Sequence, residues 1–202
     1  CTSLENIVLP ESLTELKYCA FQGCLSLPSI TIPEGIKALE SSMFKNCTRL
    51  ESVTLPEGLT QIGSNAFEGC TALAHVDIPD MVASIGSSAF QGCTMLSEMA
   101  LPHNLTTLES NLFRGCTNLK RVTIPAATGS VRNEAFYDCT ALAYIDVESG
   151  NQAYASCSGM LCDKDLTETV VIPPCLTDLV IPATLAGYWQ YNLPDCKYLR
   201  SA

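Results

Sequence analysis

Apolar and polar side chains alternate in short stretches along the chain, and one such stretch runs from residue 52 to residue 55. Val53 and Leu55 alternate there with the polar Ser52 and Thr54. A period of two residues is typical of a β-strand that buries one face and exposes the other to water. Pro56 follows, and proline has no N–H to donate to a neighbouring strand, so we expect the strand to end there.

The next apolar residues have a wider spacing, at Leu59, Ile62 and Phe67. This spacing fits either a second short strand followed by a turn or a single helical turn. Gly58 and Gly63 lie in the same stretch, and glycine weakens a helix. We therefore predict a second short strand followed by a turn.

The whole pattern returns every 23 residues, and prolines, phenylalanines and leucines keep this step as well. The clearest column is Cys1, Cys24, Cys47, Cys70, Cys93, Cys116 and Cys139. A fixed period between about 20 and 50 residues indicates a solenoid, in which each unit buries its apolar residues against its neighbours. We predict a mainly β, right-handed solenoid of about eight coils, roughly 40 Å long at the spacing of paired strands.

The period breaks once, after residue 147. The cysteine column resumes at Cys196 and the proline column at Pro182. We therefore predict one domain over residues 1–202, with regular repeats at 1–147, an irregular insert at about 148–171 and a resumed repeat at 172–202. Within the insert, residues 160–162 and 169–172 are expected to pair as a hairpin that protrudes from the solenoid.

Three acidic residues of the insert, Asp163, Asp165 and Glu168, raise the alternative of a calcium loop. The glycine and the remaining oxygen ligands of such a loop are missing. A solvated hairpin turn is therefore the preferred interpretation.

Cysteine is abundant, with 12 residues, and most of them lie on the 23-residue column. Coils stacked about 4.8 Å apart keep the column Cβ atoms farther apart than the roughly 3.8 Å that a disulfide prefers. We therefore predict a column of buried thiols. Off the column lie Cys19, Cys157, Cys162 and Cys175, and a disulfide between Cys157 and Cys162 stays open as an alternative.

No motif for a metal or a cofactor accompanies these cysteines. The sequence contains no C-x-x-C pair of the kind that binds zinc, and no glycine-rich phosphate loop or dinucleotide fingerprint. We therefore predict neither a metal site nor a cofactor.

The repeat resembles the BspA-type leucine-rich repeat, which is also described from treponemes. The resemblance rests on residues 70–79, which read C-T-A-L-A-H-V-D-I-P, and on residues 85–90, which read I-G-S-S-A-F. Residues 150–154 and 158–161 resemble an insert that interrupts such arrays. The resemblance implies a surface-exposed or secreted module that binds proteins, including host matrix proteins.

The chain is acidic, with 21 acidic against 11 basic residues and a net charge of -10. Nucleic-acid binding needs clustered Lys and Arg, so we expect no nucleic-acid partner. The hydrophobic fraction of 47% is ample for a core and excludes a disordered chain. No apolar run approaches the roughly 18 residues of a membrane span, so no membrane insertion is expected.

The outward side chains of the first strand change from coil to coil. Early coils present small polar groups, whereas later coils add charge, an imidazole and an aromatic ring. A rigid stacked sheet suits recognition of a protein better than enclosure of a small molecule. We therefore expect a partner-binding face made of His75, Asp77, Glu98, Arg121, Thr123, Tyr144 and Asp146.

Only two histidines occur, His75 and His103, which limits acid-base catalysis. His75 and Asp77 are expected about 7 Å apart along one strand, with Ser52 one coil away. This spacing predicts poor geometry for a hydrolase triad, which needs both partners within hydrogen-bond reach of the imidazole. No catalytic residue is predicted.

Together these patterns predict a non-enzymatic binding or adhesion module displayed outside the cell, with host extracellular matrix or plasma proteins as candidate partners. A structural spacer and an accessory recognition module of a larger surface enzyme stay open as alternatives. Cys1 already lies on the cysteine column and the chain stops soon after Leu199. We therefore expect either a segment of a longer protein or a mature form whose caps were removed, with open ends that associate end to end.

Overall fold

The protein is a stack of short β-strands joined by turns. A computed structural model describes residues 1–132, 134–177, 180 and 182–185. In chain order the strands are β1 (Ser29–Thr31), β2 (Ala38–Leu39), β3 (Ser52–Thr54), β4 (Gln61–Ile62), β5 (Ser84–Ile85), β6 (Glu98–Met99), β7 (Thr107–Leu108), β8 (Arg121–Ile124), β9 (Ser130–Val131), β10 (Tyr144–Val147), β11 (Tyr154–Cys157), β12 (Met160–Asp163) and β13 (Thr169–Val171). A 3₁₀ helix follows at Ala183–Leu185.

Equivalent strands of successive coils pair in parallel, so that Ser29 lies opposite Ser52 and Gln61 lies opposite Ser84. Strands β1 and β3, and strands β6, β8 and β10, form the first-strand sheets. Strands β2, β4 and β5, and strands β7 and β9, form the second-strand sheets. The structure confirms the predicted mainly β solenoid, and a short strand rather than a helical turn follows each proline of the 23-residue column from Pro33 to Pro125. Five of the predicted coils carry a first strand within the described residues.

A wide turn follows the second strand and carries the phenylalanine of each coil. Ser42, Asn65, Ser88 and Asn111 begin this turn in the left-handed region, with φ of 58° or 59°. Gly63 lies where two coils approach closely, since a Cβ atom there would be 2.7 Å from the backbone nitrogen of Ser41. The backbone thereby reverses sharply and directs the aromatic ring inward.

Phenylalanine and cysteine columns fill the interior of the coils. Rings of neighbouring coils, from Phe21 to Phe136, stack with their centroids 5.3 to 5.9 Å apart. Each thiol from Cys47 to Cys139 donates a hydrogen bond of 3.0 to 3.2 Å to the carbonyl oxygen of a phenylalanine in the wide turn. These thiols are buried and free, as Cys24 is, which confirms the predicted column of buried thiols except at Cys1, which is exposed.

Burial raises the pKa of the column thiols from Cys47 to Cys139, to about 11 for Cys47 and to about 12 for Cys139. The pKa of Cys93, in the middle of the stack, is raised further for the same reason. A thiolate at these positions would place a charge in an apolar interior. The column thiols therefore stay neutral, and hence unreactive, near neutral pH.

One interior column changes from apolar to polar at the end of the regular repeats. The position that holds Leu105 holds Thr128 in the next coil and Asn151 in the one after, and both polar residues are buried. The Asn151 amide nitrogen donates to the carbonyl oxygens of Pro125 and Thr128, at 2.8 and 2.9 Å. Its amide oxygen accepts the backbone N–H groups of residues 153 and 154, both at 2.8 Å. Asn151 thus joins the last regular coil to the start of the insert.

The insert does not protrude from the solenoid, contrary to the sequence expectation. Strands β11, β12 and β13 form an antiparallel sheet, which confirms the predicted pairing of residues 160–162 with residues 169–172 and adds β11. Leu161 is fully buried in the main core, and the Ile145 N–H donates to the Gly159 carbonyl oxygen at 2.8 Å. The hairpin packs back because the last regular coil would otherwise leave its apolar interior open to water.

Asp163 organises the turn that follows β12. Its carboxylate accepts the backbone N–H groups of Thr167 and Glu168, at 2.7 and 2.8 Å, and also the Thr167 hydroxyl. These bonds within the turn agree with the hairpin-turn interpretation rather than the calcium loop. Cys157 and Cys162 are both free, so the disulfide alternative is not present.

The resumed repeat was predicted for residues 172–202. Leu176 and Leu185 pack with Met160 and Cys162 in a small second cluster beside the hairpin. Cys196, which carried much of that prediction, lies outside the described residues.

Candidate functional site

The outward face of the first strands is the partner-binding face predicted from the sequence. In the structure its side chains are exposed or partly exposed to solvent. In the coils from Ile30 to Ile145 a buried residue lies between two outward ones, as Val76 does between His75 and Asp77. Glu98 lies opposite Arg121, and Arg121 lies opposite Tyr144. The parallel register therefore places these side chains in one row across the sheet.

Arg121 is the centre of the C-terminal part of this row. Its Nε atom lies 3.1 Å from the Asp146 carboxylate, and its guanidinium carbon lies 5.3 Å from the centre of the Tyr144 ring. The arginine thus combines an ion pair with a cation–π contact. Because its side chain is 61% exposed, water screens the ion pair. The two contacts instead hold the guanidinium group beside the Tyr144 ring, so that both form a preorganised, planar and exposed surface.

His75 and Asp77 make a direct contact, which corrects the sequence expectation. The imidazole Nε2 atom lies 2.8 Å from an Asp77 carboxylate oxygen, and residues 75–77 form no strand in the structure, unlike the equivalent residues of the neighbouring coils. Both side chains are exposed to solvent and bend toward each other, so their polar ends meet although their backbones lie farther apart. His75 therefore has a carboxylate partner within hydrogen-bond reach.

A groove of about 500 Å³ lies beside this row, and both histidines of the chain line it. His75, Glu98, Arg121 and Thr123 contribute from the outward face, and Asp80, His103 and Glu148 contribute from the loops that follow the strands. The His103 imidazole Nδ1 atom lies 3.0 Å from the Glu148 carboxylate. Within this groove two histidines, an arginine and three carboxylates converge.

Sequence reasoning assigned Asp80, His103 and Glu148 no place on this surface. A signal was available, because Asp80 and His103 each follow a proline of the 23-residue proline column. We call this the post-proline column; it consists of Glu11, Glu34, Glu57, Asp80, His103 and Ala126. Only the three-dimensional structure shows that this column borders the outward face.

Within residues 1–132 and 134–177 and the few described beyond them, no group of three or more His, Cys, Asp or Glu side chains could hold a metal ion. The same part of the chain contains no helix long and apolar enough to cross a bilayer.

Comparison with solved structures shows the same architecture in several bacterial proteins. A leucine-rich repeat protein from Eubacterium ventriosum has a TM-score of 0.69 at 25% identity, covering 79% of this chain and 42% of its own. The T. pallidum leucine-rich repeat protein has a TM-score of 0.58 at 28% identity, covering 64% of this chain and 61% of its own. The pneumococcal vaccine antigen PcpA has a TM-score of 0.66 at 25% identity, covering 78% and 40%.

The chain thus spans between 40% and 61% of the length of these three proteins. Among curated protein sequences, none matches this chain. The family model for the BspA type leucine rich repeat region matches in six copies, over residues 1–95 and 60–179. These matches cover most of the chain and agree with the stacked coils of the structure, so the chain belongs to the BspA-type leucine-rich repeat family.

Proposed function

We propose that the chain is a non-enzymatic protein-binding module of a secreted or cell-surface protein. The observation that carries the proposal is the outward face, on which side chains differ from coil to coil while the supporting strands stay in register. Rigid strands hold these side chains in fixed positions, so a partner protein meets a preorganised surface.

The binding residues of the proposed face are His75, Asp77, Glu98, Arg121, Thr123, Tyr144 and Asp146. Tyrosine and arginine are the residue types most often responsible for binding energy at protein interfaces. Tyr144 is 38% exposed and stacked against Arg121, so its ring loses little freedom when a partner covers it. We therefore place the centre of the interface at these two residues.

A location outside the cell is part of the proposal. Membership in the BspA-type family supports it, as does the similarity to PcpA, which is a vaccine antigen. The candidate partners are host extracellular matrix and plasma proteins.

The test is solid-phase binding of the purified chain to a panel of matrix and plasma proteins, at low and at physiological salt. For a partner that binds saturably, we expect Arg121→Glu and Tyr144→Ala each to weaken binding by roughly tenfold or more, since they remove central contacts. Arg132→Glu is the matched control, because Arg132 is exposed but lies beside the second strand, away from the outward face.

Two outcomes contradict the proposal. Equal losses for Arg121→Glu and Arg132→Glu would show that net charge alone governs binding. No saturable binding across the panel would favour the structural spacer instead.

A further inference from the structure

The N-terminal half of the outward side differs from the half that contains Arg121, and it suggests the chemistry of a partner. The post-proline column carries four acidic residues in consecutive coils, Glu11, Glu34, Glu57 and Asp80, and all four are exposed. At about 4.8 Å per coil, the three steps from the first to the last span roughly 14 Å. Four like charges this close repel one another, which costs free energy in the unbound protein.

No ion pair among the described residues includes one of these four carboxylates. Within the described residues the acidic partners of ion pairs are Glu15, Glu68, Asp77, Asp146 and Glu148. Lys37, three residues after Glu34, donates instead to the Glu34 backbone carbonyl oxygen at 3.4 Å. The acidic members of the post-proline column therefore lie in solvent without an ion pair to a described residue, as Glu98 on the outward face also does.

The surface beside the column is open enough to receive a chain. The outward residues of β1 and β3 are the small Ser29, Thr31, Ser52 and Thr54, all exposed. Depressions of about 650 and 410 Å³ follow these strands, the first lined by Glu11 and Glu34 and the second by Glu57 and Asp80. We call these two depressions, together with the small outward side chains of β1 and β3, the trough; each depression has two carboxylates at its edge.

The first depression also has an apolar lining. Val8, with 87% of its surface exposed, lies there beside Ile7 and Leu9. Lysine and arginine combine a cationic head with an aliphatic stem that packs on apolar surface. A basic side chain therefore fits both parts of the lining, the carboxylates at the edge and the aliphatic groups between them.

We infer that this trough docks an extended, Lys- and Arg-rich segment of a protein partner. The inference rests on the proposed protein-binding function and names the chemistry of its partner. An extended chain advances about 3.3 Å per residue, so roughly five residues cover the four carboxylates. The trough neutralises the partner's cations and the partner relieves the repulsion within the column.

The closing experiment measures fluorescence anisotropy of a labelled octapeptide of alternating Lys and Ser with the whole chain, against an octapeptide of alternating Glu and Ser. We expect saturable binding of the basic peptide only. Raising the salt from low to physiological concentration should weaken this binding severalfold, since the contacts are exposed charges.

The decisive variant is the double substitution Glu34→Gln with Glu57→Gln. We expect it to weaken binding of the basic peptide by about tenfold, from two exposed charge contacts. The control, Glu40→Gln with Glu134→Gln, removes two exposed acidic charges from outside the trough and changes net charge equally. We expect a change of less than about twofold from it, since those charges lie beyond close range.

Three results would overturn the inference: no saturable binding of the basic peptide, equal losses in the two double variants, or saturable binding of Ca²⁺ alone that Glu34→Gln with Glu57→Gln abolishes. Failure here is distinguishable from failure of the proposed function. A matrix or plasma protein that depends on Arg121 and Tyr144, but not on the trough carboxylates, would leave the protein-binding function standing and remove only this inference.

Discussion

Phe44, Phe67 and Phe90 repeat one contact in consecutive coils, each ring stacked on the next at 5.4 and 5.3 Å. On the outside, the residues at one strand position change from His75 to Glu98 and then to Arg121 and Tyr144 along the same stack. The interior keeps its residues because every coil must present the same shape to its neighbours. The outward face is released from that requirement, so its side chains vary without disturbing the contacts that hold the coils together.

The largest expected effect comes from breaking the interior stack. Phe67→Ala removes a fully buried ring with neighbours above and below it, so we expect a loss of about 3 to 5 kcal/mol in the free energy of unfolding. Urea denaturation followed by circular dichroism measures it. Tyr137→Ala, which removes a 56% exposed aromatic ring, is the control and should lower this free energy by less than about 1 kcal/mol. Similar losses in both variants would remove the distinction between interior and exterior.

The buried polar residue at the end of the stack ranks next. Asn151→Ala removes four hydrogen bonds, so that the Thr128 carbonyl oxygen and two backbone N–H groups lose this partner while the Pro125 carbonyl oxygen keeps the Thr128 N–H; we expect a loss of about 2 to 4 kcal/mol in the free energy of unfolding. Faster hydrogen exchange of the amides at residues 153 and 154 should accompany it. Gln152→Ala, an exposed neighbour that bonds to the Gly150 carbonyl oxygen, should change stability little. Unchanged exchange at both amides would show that Asn151 does not hold the insert.

The column thiols make the interior sensitive to alkaline pH. Burial raises the pKa of Cys47 from 9.0 to about 11, so the folded state keeps its proton where the unfolded state releases it. Its contribution to stability is fully present below pH 9.0, falls as the pH rises beyond that value and is lost near the folded pKa of about 11. Between these two pKa values the free energy of unfolding falls by about 1.4 kcal/mol per pH unit for each such thiol.

Urea denaturation at about pH 8 and about pH 10 measures this dependence. In Cys47→Ala we expect a lower stability at both values but a smaller fall between them, by about 1 kcal/mol. The same fall in the variant and the parent chain would show that Cys47 ionises equally in both states. The change in the free energy of unfolding between the two pH values reports the ionisation of Cys47. The lower free energy at both values reports the packing that the substitution removes.

The smallest effect on stability is expected on the outward face. Arg121→Gln removes an exposed ion pair and a cation–π contact, so the free energy of unfolding should fall by less than about 1 kcal/mol. Urea denaturation measures that change, and the solid-phase assay measures binding on the same preparation. A stable variant with weakened binding would sharpen the contrast between the stacked interior, which holds the fold, and the outward face. A loss as large as that of Phe67→Ala would instead make Arg121 part of the structural core.

Much of the fold follows from the sequence because stacked coils convert a sequence period into a spatial period. Residues 23 apart become neighbours, so Cys47 and Cys70 could be placed in one interior column without a structure. The outward direction of His75 and Asp77 followed from the period of two in a strand. Their contact at 2.8 Å did not follow from the sequence, because local solvent and charge, rather than backbone periodicity, determine the rotamers of exposed side chains.

The sequence by itself thus determined the solenoid, its two strand columns, its buried thiols and the candidate outward face, since each depends on spacing along one repeating unit. Tertiary structure alone decided how the insert folds back with Leu161 into the main core, and how His103 reaches Glu148 beside the outward face. Those contacts join segments that the repeat does not relate by a fixed step. Their positions depend on which apolar surface needs covering and which charges then come within reach, and only the folded chain sets both.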